Sequence, residues 1–444
     1  MNPQTRISLN NIADIAGVSR RTVDTWIAKG KLTPHTDSSG YYFLPDEVDT
    51  IPEIRQMLDS AWEEEKLSNP NRVYTSIELF AGAGGLALGM HKAGFRHVLL
   101  NEYDKDACAT LRHNMPDWNV VEGDIHDIDF SPYQNRVDFL SGGFPCQAFS
   151  YAGKRLGFEE ARGTLFFELA RAVKEVQPKV FLCENVKGLL EHDQGRTIAT
   201  IKNIIAELGY TLVTPKILRA ILYDVPQKRE RLILIAIRND IAPHVNFKWP
   251  SVCSDFRTLR DALCKGPLFD TDVPESEGQS YPESKKNVMS LVPEGGDWRD
   301  LPEKVAKEYM KGSYNLGGGK TGMARRLAWN EPSLTLTCAP AQKQTERCHP
   351  SETRPLTVRE YARIQTFPDN WNFYGSLGAK YKQIGNAVPV NLSWALGRSL
   401  IRLFNQIDEI SKHENLTQPI GYIPVNKLHG IFEGMVCEHG QNYE

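Results

Sequence analysis

The chain has 444 residues, 41% hydrophobic and 24% charged, with a formal net charge of −3. This length allows two or three domains, and the balance is that of a soluble globular protein rather than a disordered one. No run of about eighteen apolar residues is present and Met1 to Arg6 has no signal-peptide core, so the chain reads as cytoplasmic, with no membrane partner.

The first fifty residues predict a small helical unit. Ser8 is placed to cap a helix over Leu9–Ala16, Gly17 breaks it, and Arg20–Ala28 forms a second helix with Val23, Trp26 and Ile27 on one face. A small residue, a glycine turn and an apolar anchor in this order form a helix-turn-helix pattern. The segment Tyr41–Leu44 followed by Asp46–Val48 resembles the wing and next helix of MerR-like units. Arg20 and Arg21 then face a DNA groove; the other reading is a helical hairpin packed on the main domain without touching DNA. The domain covers 1–60, and a polar linker follows over 61–72.

From Tyr74 to about Asn246, apolar runs alternate with helical stretches: Thr75–Phe80, His97–Leu100, Val137–Leu140, Val180–Cys183 and Leu232–Ile237. That alternation predicts an α/β fold with a mostly parallel sheet. The first run enters Ala81-Gly82-Ala83-Gly84-Gly85, a glycine-rich strand-to-helix turn that lets a ligand approach the backbone. The spacing is not that of a dinucleotide fingerprint. Glu102 ends the second run, where an acid holds ribose hydroxyls, with Tyr103 placed to cover an adenine face. Gly123-Asp124-Ile125 ends the next candidate strand after Glu102, where Asp124 accepts from an adenine amino group. Together with Phe80, Gly82 and Gly84 these predict a nucleoside-type cofactor.

Cys146 follows the run that ends near Leu140, in Gly143-Phe144-Pro145-Cys146-Gln147. Glu184 follows Val180–Cys183, so a thiol nucleophile and a proton donor both fall after strands, where open α/β sheets gather their sites. The preceding proline stiffens the turn that aims the thiol. The polar stretch from Ser150 to Gly163, with Arg162 near its end, reads as a lid.

Eight cysteines include no C-x-x-C pair, which argues against a zinc ribbon, and no metal is expected. Cys183, Cys253 and Cys437 read as space-filling thiols. From Trp249 to about Pro350 glycine and proline become frequent, predicting a loop-rich second domain. Lys311, Lys320, Arg325, Arg326, Lys343 and Arg347 there suit phosphates and guanine edges. Helices return at Thr357–Ile364 and Val390–Phe404.

Six ordered blocks, Phe80–Gly85, Gly143–Gln147, Glu184-Asn185-Val186, Gln227–Arg231, Arg354–Thr357 and Gln383–Pro389, resemble the signatures of bacterial DNA cytosine-5 methyltransferases. The resemblance spans roughly Ser76 to Phe404. It implies a Rossmann-like sheet using S-adenosylmethionine over 73–248, a loop-rich target-recognition domain over 249–375, a return to the catalytic domain over 376–410 and a tail over 411–444. It implies that Cys146 attacks C6 of a flipped cytosine while a protonated Glu184, its pKa raised in a dry pocket, contacts N3. Arg231 contacts the base or braces the lid, and Arg229 steadies the cysteine loop. Leu165, Asn386 and Val388 line the cofactor. Gln147, Ser150 and Arg162 belong to a segment that fills the gap in the duplex, and Ser333–Thr337 resembles the family's recognition element. Double-stranded DNA is the implied substrate, with a restriction endonuclease acting at the same site. A tRNA methyltransferase and a transcriptional regulator are the alternatives.

Overall fold

The computed structural model describes residues 4–38, 40–144, 165–315 and 321–414. An eight-stranded sheet forms its centre, in the order Lys216–Arg219, Glu230–Arg238, Val180–Asn185, Phe139–Gly142, Tyr74–Leu79, Phe95–Glu102 and Val120–Glu122, with Tyr210–Leu212 also paired to Glu230–Arg238. The five strands from Val180–Asn185 to Val120–Glu122 run parallel. Strand Glu230–Arg238 closes that side antiparallel, placing Ile233 opposite Glu184.

The chain begins the sheet at Tyr74–Leu79, adds two strands on one side, then two on the other. The strand order therefore reverses beside Tyr74–Leu79, and such a switch point opens a crevice at the carboxyl ends. The strands inside the Val120–Glu122 edge are largely buried on both faces, which is why they read as continuous apolar runs.

One face of the sheet is covered by helices Leu165–Val176 and Arg196–Glu207 through Phe166, Val173, Ile201 and Ile204. The other carries Gly85–Ala93 and the long helix Val390–Glu414. There Tyr74, Phe95 and Phe139 pack with Phe404 at ring-centroid distances of 5.1 to 6.4 Å, contacts worth about 0.5–1.5 kcal/mol each beyond burial. A Cβ on Gly89 would stand 2.3 Å from Ser393 Cβ, so only glycine lets these two helices approach this closely.

The N-terminal helices span Leu9–Ala16 and Arg20–Ala28, as the pattern predicts. Ser8 and Ser19 accept from Asn11 N and Thr22 N, satisfying helix-end donors. Gly17 ends the first helix at φ 69°, a left-handed conformation that glycine adopts freely. A three-stranded antiparallel sheet of Ile7–Ser8, His35–Asp37 and Gly40–Phe43 supplies the wing. Trp62 is buried edge-on against Trp394. Arg72 makes a bidentate pair with Asp138 and a third bond to Asp408, tying the segment before the sheet to the last helix.

The loop-rich lobe packs the short helices Glu283–Met289 and Glu303–Met310 around Tyr281, Val292 and Leu301, while helix Leu259–Leu263 shares a second core with Tyr361, Phe367 and Trp371. Among the described residues no helix is long and apolar enough to cross a membrane.

Candidate active site

A cavity of about 870 Å³ opens at the carboxyl ends of the parallel strands. Phe80, Gly82, Glu102, Tyr103, Asp124, Ile125, Leu165, Asn386 and Val388 all line it. Phe80 holds φ 58°, rare for a side-chain-bearing residue and common where a site constrains the backbone. The Glu102 carboxylate accepts from Gly82 N at 2.7 Å, Tyr103 N at 2.9 Å and Asp104 N at 2.8 Å. Three bonds leave acceptor capacity for a hydroxyl. Tyr103 is exposed at the cavity rim.

Asp124 accepts from His126 N at 3.0 Å, which helps hold its carboxyl below the usual range. Arg171 braces the same loop by donating to Ile125 O at 2.8 Å and Ile128 O at 3.1 Å. Gly84 is placed differently from the expectation. It caps helix Gly85–Ala93 at φ 83°, outside the cavity lining, and a Cβ there would stand 2.7 Å from Leu111 Cδ2.

Glu184, Arg229 and Arg231 line the other end of the cavity. Arg231 Nε pairs with Glu184 Oε1 at 2.5 Å, both largely buried. Strand pairing explains the contact, since Glu184 and Arg231 come from neighbouring antiparallel strands. The Glu184 Oε2 side faces Gly143, where a Cβ would stand 2.9 Å from that oxygen. Asn185 Nδ2 donates to Phe144 O at 2.8 Å and its Oδ1 accepts from Val186 N. The carboxylate strand thus grips the chain immediately before Pro145-Cys146. Cys146, Gln147, Ser150 and Arg162 lie outside the described residues.

Arg229 is 2% exposed and donates to Leu336 O at 3.2 Å, Gly385 O at 2.8 Å and Asn386 O at 3.3 Å. Burial and the neighbouring Arg231 lower its pKa well below the usual arginine value. Its guanidinium locks Leu336 to the turn carrying Asn386 and Val388. The cysteine loop it is expected to steady lies outside the described residues.

The basic residues of the lobe divide. Arg326 is 5% exposed and donates to Val292 O, His349 O, Glu352 O, Met289 O and Thr353 Oγ1. Arg347 is buried as well, and Arg325 lies near Asp297 and Glu331. The expectation that Arg326 reaches DNA is corrected, because a loop-rich lobe has few regular backbone pairs and this arginine fork satisfies its buried carbonyls. Lys311 and Lys343 are exposed, and with Lys285 they repel one another enough to help lower the Lys343 pKa after burial. Lys320 is outside the described residues. Arg20 and Arg21 are exposed on the second N-terminal helix. Thr335, Leu336 and Thr337 wall the cavity, and Ser333–Leu334 pairs with Gln227–Lys228.

Three cavity residues have no site role in the sequence reading. Burial raises the Glu78 pKa to about 8, and Ser141 Oγ donates to it at 3.5 Å. Asn185 reads as part of a block without its own role. Cys338 is an exposed thiol donating to Asn386 Oδ1 at 3.2 Å. Glu78 carried one signal, an acid inside an apolar strand. Cys338 carried none beyond its polar surroundings.

Residues 74–402 match the family model of C-5 cytosine-specific DNA methylases, and residues 7–61 that of MerR helix-turn-helix regulatory proteins. The chain is 62% identical over 405 residues to the type II methyltransferase M.Eco47II of Escherichia coli, covering 90% of this chain and 97% of that protein. It is 58% identical over 405 residues to the type II methyltransferase M.PspPI of Psychrobacter, covering 91% and 97%. The fold is shared with the Entamoeba histolytica methyltransferase EhMeth, at a TM-score of 0.51 and 16% identity over 77% of this chain and 99% of that one. The strand-end cavity, the paired Glu184 and Arg231 and these matches lead to one conclusion: the chain belongs to the C-5 cytosine-specific DNA methylase family and is a DNA cytosine-5 methyltransferase with a MerR-like N-terminal unit.

Proposed function

We propose that this enzyme methylates C5 of one cytosine in a short specific duplex site, as the modification half of a type II restriction-modification system. The observation that carries the reading is the Glu184–Arg231 pair beside Gly143, three residues before Cys146. The type II relatives favour duplex DNA over tRNA.

The cavity suits an adenosine-bearing cofactor. Glu102 retains acceptor capacity for ribose hydroxyls, Asp124 is ionised for an adenine amino group, and Asn386 and Val388 face the remaining end. S-adenosylmethionine, when bound, supplies the methyl group.

The residues divide the chemistry as follows. C5 of cytosine is weakly nucleophilic, and the ring must leave the duplex to be reached, at an unstacking cost of a few kcal/mol. The Cys146 thiolate adds to C6, and the electron pair moves through the ring toward C5 and N3. Glu184 gives a proton to N3 and so offsets the developing charge. Arg231, bonded through Nε to Oε1, orients that carboxyl. C5 takes the methyl group, and a base then removes the C5 proton. The electrons expel Cys146 from C6, and the N3 proton returns to Glu184. The thiolate and the carboxyl are regenerated.

Labelled methyl transfer with duplex DNA and tRNA as competing acceptors tests the reading, with bisulfite sequencing of the product. Label at a single cytosine position of duplex DNA is expected. Label confined to tRNA would refute it.

The MerR match favours a second role for the N-terminal unit, reading DNA upstream of its own gene. Cys146→Ala is then expected to abolish methylation and leave promoter binding intact.

A further inference from the structure

The N-terminal unit is docked on two parts of the enzyme at once. Asn10 and Asp14 stand four apart on helix Leu9–Ala16, hence on one face. Asp14 Oδ1 pairs with Lys228 Nζ at 2.7 Å, with side-chain exposures of 12% and 26%. Asn10 Nδ2 donates to Glu331 Oε1 at 2.7 Å. The other Glu331 oxygen lies 3.8 Å from the same Lys228. Arg219 donates to the Asp14 carbonyl and pairs with Glu53 at 3.3 Å.

Each partner has a structural job. Lys228 sits in Gln227–Lys228, next to Arg229, and its carbonyl accepts from Thr335 Oγ1 at 2.6 Å. Glu331 anchors the loop-rich lobe, since its carbonyl accepts from Leu259 N at 2.9 Å where that lobe begins its first helix. The apolar contacts agree: Ile12, Ile15 and Ile54 share one core with Leu218, Ile221 and Val225 of the catalytic domain.

We propose that Asp14, Asn10 and Lys228 are positioning residues for methylation: the N-terminal unit braces the loop-rich lobe against the catalytic domain and so sets how a duplex is aligned in the cleft. The inference rests on the lobe facing the duplex. Gly82, Glu102 and Asp124 sit at the ends of the parallel strands and not on the bonds that hold Asp14 and Asn10, so the brace acts chiefly on DNA.

The test is steady-state methylation of a duplex carrying the enzyme's own site, by the full-length chain. Asp14→Ala is expected to raise the duplex KM five- to tenfold, with kcat within twofold and the cofactor KM unchanged. Mere destabilisation would lower kcat through the active fraction and leave KM alone. Lys228→Met should do the same, Lys228→Arg should keep the parent KM, and the Asp14→Ala/Lys228→Met double variant should be no worse than either single one, because the pair acts as a unit. The salt dependence of the duplex KM should keep its parent slope. A slope reduced by about 0.9 would mean a lost phosphate contact and would overturn the brace in favour of direct DNA binding. Parent-like KM in Asp14→Ala, or a loss in kcat alone, would overturn it too. An inactive parent enzyme would instead refute the functional reading.

Discussion

Arg326→Met is the substitution that best separates a structural arginine from a DNA-reading one. The guanidinium reaches four carbonyls, of Met289, Val292, His349 and Glu352, at 2.8 to 3.0 Å. Methionine fills much of the volume but donates nothing. A buried acceptor left without a partner costs about 1–3 kcal/mol; at the low end, four of them cost about 4 kcal/mol. That is a large part of a typical folding stability of about 5–15 kcal/mol. Urea denaturation followed by intrinsic fluorescence reads the effect, because Trp298 packs inside the lobe. An early transition of the lobe is expected, with the midpoint lowered while the catalytic sheet still unfolds near the parent midpoint. The reasoning fails if the midpoint is unchanged and duplex affinity drops with a reduced salt slope.

Three further outcomes follow from particular contacts. In Gly85→Ala the new Cβ would stand 2.2 Å from Val388 O, so the Asn386–Val388 wall must move; such overpacking costs about 1–3 kcal/mol. Calorimetry with S-adenosylhomocysteine should then show roughly tenfold weaker binding or worse, and parent-like affinity would count against that wall. Asn185→Ala removes the grip on Phe144 O and should lower kcat about 10- to 100-fold through misplacement of the following turn, with the circular-dichroism spectrum preserved. Glu78 has a folded pKa of about 8, above the usual 4.5, so its stabilising contribution is full below pH 4.5 and is lost as pH rises through 8. Glu78→Gln should therefore gain thermal stability over the parent between pH 5 and pH 8.5; a constant difference across that range would refute the burial argument.

The sheet was legible because strands buried on both faces leave unbroken apolar runs, and Glu102, Asp124 and Glu184 lie within two residues of strand ends. The two N-terminal helices were legible because Ser8, Gly17 and Ser19 are local end signals. The docking of that unit was not, because Asp14–Lys228 and Asn10–Glu331 join residues more than 200 positions apart and each looks like ordinary surface charge in the sequence. Arg326 was misread for a related reason. Basic residues in a segment without periodicity look solvated, whereas here one arginine replaces the backbone ladder that the lobe lacks. Gly84 was grouped with its neighbours by composition, and only the helix start shows that it packs against Leu111.

The central claim is a transient bond between Cys146 and the ring of the target cytosine. A duplex with 5-fluorocytosine at the target position cannot lose a proton from C5, so the adduct should persist. With cofactor present, a one-to-one protein–DNA species resistant to denaturation is predicted, with the label on the peptide holding Cys146 and no adduct in Cys146→Ala. The absence of that species, or its appearance on the peptide holding Cys338, a thiol that lines the cavity, would contradict the account.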